Sequence, residues 1–127
     1  MYEKTLRRHL YEIIDNLGIE DPAVVKAYKN FKLEITNKTY KTKSGDYNYR
    51  TQKIRITQTS GHNNANEIGT ALHELAHHLD YCNRGKSGHD SEFYAQFRRL
   101  IYSALDLDKI SLEEMKEMNR SNTDYRK

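Results

Sequence analysis

The run from Ala71 to Asp80, A-L-H-E-L-A-H-H-L-D, constrains this chain more than any other stretch. Residues four apart on a helix stand one above the other, so His73 and His77 offer two imidazole nitrogens to a single metal ion only if the run is helical. Glu74 then falls beside them, where a carboxylate can take a proton from a water held by that metal. The surrounding pattern agrees with a helix. At about 100° per residue, Ile68, Leu72, Leu75, Ala76 and Leu79 form one apolar stripe, with His73, His77 and Asp80 along its flank. The helix is expected over residues 65–82, with Asn64 and Glu67 as a capping box. His78 points away from the histidine pair and is expected at the surface.

A catalytic zinc site has three protein ligands and one open position, so two histidines do not complete it. The chain breaks at N-R-G-K-S-G, residues 83–88, and starts a new helical stripe through Phe93, Phe97, Leu100, Ile101 and Ala104, with its first residue near His89 or Asp90. That reversal brings His89 beside the first helix as the third metal-ligand candidate, with Asp90 and Glu92 as rivals. Asp80, one turn after His77, can orient a ligand through its second imidazole nitrogen or serve as a solvated helix-end acid. His62 and His9 read as surface residues.

Ahead of this pair the order is helices, then strands. Leu6, Leu10, Ile13, Ile14 and Leu17 predict a helix over residues 5–17, closed by Gly18. Asp21-Pro22 supplies an N-cap and a first-turn proline for a short second helix. Phe31, Leu33 and Ile35 alternate with polar residues as a strand does, and Ile54 and Ile56 do the same. Between them, tyrosine-rich residues predict a further strand, with Ser44-Gly45-Asp46 as the turn of an antiparallel sheet. Residues 59–63 read as a loop. Ser111-Leu112-Glu113-Glu114 is a capping box for a short last helix through Met115 and Met118. The expected fold class is α+β: a small antiparallel or mixed three-stranded sheet packed on the histidine-bearing helix. The 127 residues suffice for one core, assigned to residues 1–119, with a frayed polar tail over 120–127.

Composition narrows the chemistry. One cysteine, Cys82, excludes an intramolecular disulfide and a thiolate zinc ribbon within these residues, so histidines must carry any zinc. No apolar run approaches the roughly 20 residues of a membrane span, and the first residues lack a signal-peptide core; a cytoplasmic protein without membrane contact is expected. The net charge is +3, with Lys38, Lys41, Lys43, Arg50, Lys53 and Arg55 as the densest basic group and Tyr40, Tyr47 and Tyr49 interleaved. Such a group suits weak nucleic-acid contact by stacking, an extended peptide, or simply a solvated strand face.

H-E-L-A-H followed by the His89 of G-H-D-S-E-F-Y-A-Q-F resembles the minimal zincin-like metallopeptidases of the SprT-like, WLM and YgjP-like group. There the third zinc ligand is a histidine ahead of a small residue and then aromatics. The likeness runs from Ile54 to about Ile101 and implies a zincin-like fold with one Zn2+ per chain on His73, His77 and His89, Glu74 as general base, and a protein or peptide substrate. The chain lacks the cysteine ribbon of SprT proper and the G-x-x-H of metzincins. Tyr94, Arg98 and Tyr47 are candidates to stabilise the oxyanion. The alternative reading is a zinc-stabilised, catalytically silent binding module associated with nucleic acid.

Overall fold

A computed structural model describes residues 2–36, 45–57 and 64–125, with the side chains of 64–66 and 120–125 left aside. The loop expected at 59–63, His62, and the basic group's Lys38, Lys41 and Lys43 lie outside these residues. In chain order the elements are α1 (Glu3–Asp15), α2 (Pro22–Lys29), β1 (Lys32–Thr36), β2 (Gly45–Asn48), β3 (Lys53–Thr57), α3 (Asn64–Arg84), α4 (Ser91–Asp106) and α5 (Leu112–Tyr125). This is the expected α+β class.

Local chemistry accounts for the helix ends. Asp21 accepts the Ala23 N–H at 2.9 Å with Pro22 in the first turn of α2, which satisfies a donor that helix geometry leaves over. Ser111 and Glu114 close the expected box on α5, Ser111 N–H donating to Glu114 Oε1 at 2.7 Å and Glu114 N–H to Ser111 Oγ at 3.1 Å. That helix runs on to Tyr125, well beyond the short element expected.

The sheet is mixed, not antiparallel throughout. Its order is β1-β3-β2, with β1 parallel to β3 and β2 antiparallel to it. Alternation predicts strands without their partners, so the spacing of Leu33 and Ile35, or of Ile54 and Ile56, does not reveal the parallel β1–β3 pair. The hairpin turns at residues 49–52, where Gln52 takes a positive φ of 54° and Asn48 Oδ1 accepts the Arg50 N–H at 2.9 Å. The expected turn residues Gly45 and Asp46 are instead strand. Gly45 is there because β2 passes close to its neighbours: a Cβ would meet the Arg55 carbonyl oxygen at 2.8 Å and Thr70 Cγ2 at 2.9 Å, with Glu74 Cγ at 3.5 Å. Gly45→Ala should therefore lower stability by about 1–3 kcal/mol, read as a shift in the urea midpoint; an unchanged midpoint would place β2 farther from α3.

One core joins these parts. Leu6, Leu10, Ile13 and Ile14 of α1 meet Ile54 and Ile56 of β3, Leu72, Leu75 and Leu79 of α3, and Phe97, Leu100 and Ile101 of α4. Ser103 Oγ of α4 donates to the Ile13 carbonyl at 2.8 Å, fastening α1 across the helix pair. β2 and β3 pack on α3, and α4 lies along its other side. The histidine-bearing helix is thus fixed from both flanks. Among the described residues no helix is long and apolar enough to cross a membrane.

Candidate metal centre

His73 and His77 stand on successive turns of α3, and both are half-buried at the edge of the core. Gly85, in the left-handed region at φ 72°, ends the helix, and its N–H returns to the Tyr81 carbonyl at 2.8 Å. The chain then reverses through residues 85–90 and delivers His89 to the same place. One ligand atom from each of His73, His77 and His89 falls within 4.8 Å of the others. Neither Asp90 nor Glu92, the rival third ligands, belongs to that group.

The geometry fits a metal ion. His73 Nε2 and His89 Nε2 are 3.3 Å apart, and two nitrogens each about 2.0–2.1 Å from one tetrahedral ion stand about 3.3–3.4 Å apart. His77 Nδ1 meets Ser87 Oγ at 2.8 Å, which orients the ring and leaves Nε2 for ligation. Burial pushes the pKa of His73 down to about 4, helped by the charge His89 would carry, and that of His77 down to about 3, helped by His73 and His89. Both rings are therefore neutral near pH 7, with the lone pairs a metal requires.

Phe93 forms the floor of this cluster. It is fully buried, stacks on His77 with centroids 4.2 Å apart, and meets His73 and His89 edge-on at 5.0 and 5.2 Å. Phe97 adds a second edge contact to His73 at 5.2 Å. The i,i+4 spacing of His89 and Phe93 is the signal that could have assigned Phe93 to the site as well as to the core.

Glu74 is buried at 7% exposure, one residue on from His73 and beside the start of β2 at Gly45. β2 is an outer strand of the three-stranded sheet, so the general-base candidate lies next to a sheet edge. Of the oxyanion candidates, Tyr94 is buried against Phe93 and 6.4 Å from the His89 ring. Arg98 is exposed. Tyr47 is engaged elsewhere: its hydroxyl meets His78 Nδ1 at 2.7 Å.

His78 corrects the expectation of a surface residue. It does point away from the histidine pair, but into the space between β2 and α2, where it is fully buried. Its Nε2 lies 3.0 Å from the Ala27 carbonyl, which can only accept, so Nε2 carries the proton and Nδ1 accepts from Tyr47. Cys82, one turn on, is exposed with its sulfur 3.7 Å from the same carbonyl, on the α2 side of α3. Asp80 is neither a solvated acid nor seen on a ligand imidazole. At 1% exposure it receives Arg84 Nε at 2.6 Å and Arg84 Nη2 at 2.8 Å.

The family model described as SprT-like matches residues 17–117. The chain belongs to the SprT-like family. The SprT-like match takes in α2, the sheet, the whole α3–α4 centre and the start of α5 as far as Glu117, more of the chain than the motif likeness alone covered. No curated protein and no solved structure matches the chain. A SprT-like domain with three histidines that can hold one metal ion is a metallopeptidase-like domain.

Proposed function

We propose that this SprT-like protein is a zinc-dependent metallopeptidase whose ion is held by His73, His77 and His89. The observation that carries the reading is the convergence of three imidazoles from two helices and a reversal, with a buried carboxylate, Glu74, next to them in the chain. Three imidazole nitrogen ligands match the donor set of catalytic zinc, and the closed sulfur-rich sets of structural zinc need thiolates that Cys82 alone cannot supply. When bound, zinc supplies Lewis acidity to a carbonyl and lowers the pKa of water toward neutrality.

The chain's own residues do the rest. Glu74 takes a proton from the attacking water and returns one to the leaving amine. The outer edge of β2 receives an extended peptide by strand addition, so main-chain hydrogen bonds hold the scissile region beside Glu74. Ser87 keeps His77 in one ring orientation, and Phe93 excludes water from beneath the three imidazoles.

The alternative of a silent nucleic-acid module draws less support. Of the basic group's described members, Lys53 pairs with Glu34 and Arg55 with Asp46, and Arg50 lies over the Tyr49 ring. The Tyr47 hydroxyl bonds to a buried histidine. The two ion pairs fit a solvated strand face, and Tyr47 is turned toward the core.

The test is hydrolysis of an unfolded protein or a quenched fluorescent peptide library by zinc-loaded protein. Cleavage is expected, lost on chelation and restored by zinc. Zinc-loaded protein that cleaves neither substrate, yet retains stoichiometric zinc, would favour the silent module.

A further inference from the structure

Resting on the three-histidine reading, we propose that Arg84 is a positioning residue for the metal centre, clamping Asp80 to Asp90 so that His89 is held in place for ligation. Of the three histidines only His89 lies outside a helix, in the stretch 85–90 between α3 and α4, and it is exposed. Fixing an otherwise free backbone residue costs about 1–2 kcal/mol, so a ligand carried on a reversal binds tightly only if the reversal is already ordered. Among the described residues, two side-chain ties order it. Ser87 reaches back to His77. The second tie is the clamp.

Arg84 presents Nε and Nη2 to the two oxygens of Asp80 as a fork, at 2.6 and 2.8 Å, the bidentate arrangement that fixes a guanidinium in direction as well as distance. The same Nη2 reaches Asp90 Oδ1 at 2.6 Å. That oxygen also accepts the Phe93 N–H at 3.2 Å as the N-cap of α4. One atom thus joins the end of α3 to the start of α4, one residue after His89 and at the backbone of the phenylalanine beneath all three imidazoles. His73, His77, Asp80 and Arg84 follow at steps of four, three and four, so ligands and clamp share one face of α3. A carboxylate as buried as Asp80 needs a paired cation, which keeps Arg84 from swinging out to solvent.

A merely structural ion pair would change stability and leave metal affinity alone; a positioning pair changes affinity in a folded chain. The full chain is loaded with zinc and its Kd measured against a chromophoric chelator, for wild type, Arg84→Ala, Arg84→Lys and Asp90→Asn. Asp90→Asn retains an oxygen for the Phe93 N–H, so α4 stays capped while the ion pair is lost. Both Arg84→Ala and Asp90→Asn should bind zinc about 10–100-fold more weakly, with helical circular dichroism unchanged. Arg84→Lys should recover part of the loss, since a lysine carries the charge without the fork. In the cobalt-substituted protein, Arg84→Ala should weaken the visible absorption of four-coordinate cobalt as His89 ligation becomes partial. Should Arg84→Ala fail to fold, Asp90→Asn decides. Wild-type affinity in Asp90→Asn and in every folded Arg84 variant overturns the clamp, whereas wild type that binds no zinc overturns the three-histidine centre itself.

Discussion

Glu74→Gln should abolish most peptide hydrolysis while leaving zinc in place. The substitution keeps the size of the side chain and its capacity to accept a hydrogen bond, but an amide cannot take a proton from water or return one to an amine. General acid–base groups contribute about 10²–10⁴-fold, and the rate should fall by at least that range. Burial of Glu74 at 7% exposure, with Gly45 of β2 packed near its Cγ, favours an isosteric replacement that does not disturb β2. Paired measurement of initial rate and bound zinc separates chemistry from metal loss. A variant with full zinc and an unimpaired rate would remove Glu74 from the mechanism.

The second large effect concerns the opposite face of the same helix. His78→Ala should destabilise the protein by about 3–5 kcal/mol, because it opens a cavity and removes the partners of two polar groups together. The imidazole is fully buried, packs edge-on against Phe31 at 5.7 Å and Tyr47 at 5.5 Å, and bridges the Tyr47 hydroxyl of β2 to the Ala27 carbonyl of α2. His78→Phe restores the volume without the hydrogen bonds and should recover part of the loss. Urea unfolding reads both, with m-values checked for two-state behaviour. A variant with the wild-type midpoint would show that the bridge contributes nothing. Since β2 borders Glu74, His78→Phe should also raise KM for an extended peptide more than it lowers kcat.

The helices and the convergence of His73, His77 and His89 are legible in the sequence because their signals are local. The stripe from Ile68 to Leu79, the Asp21-Pro22 start and the Ser111–Glu114 box each depend on neighbours within a few residues, and all three elements form. His89 is legible because a helix break between two apolar stripes forces a reversal. The sheet order is not, since Leu33 and Ile54 show the same alternation whether their strands run parallel or not, and only packing on α3 decides. His78 shows the limit of a helical projection: the direction is right, but what fills that direction is set by Tyr47 and Ala27, 31 and 51 residues away in the chain. Asp80 departs from its expected roles for a similar reason. Its i,i+4 partner Arg84 is in view, yet the reach of that guanidinium to Asp90 depends on the reversal. Ser87 leaves no pattern of its own beyond being a hydroxyl residue two before His89.

Metal content of the purified chain tests the central claim most directly. Wild type, expressed without added metal and desalted, should carry one zinc per chain, and His89→Ala should lose it, because two histidines on α3 do not complete a three-ligand site. Stoichiometric zinc retained in His89→Ala, or wild type that neither carries nor takes up zinc, would contradict a centre built from His73, His77 and His89.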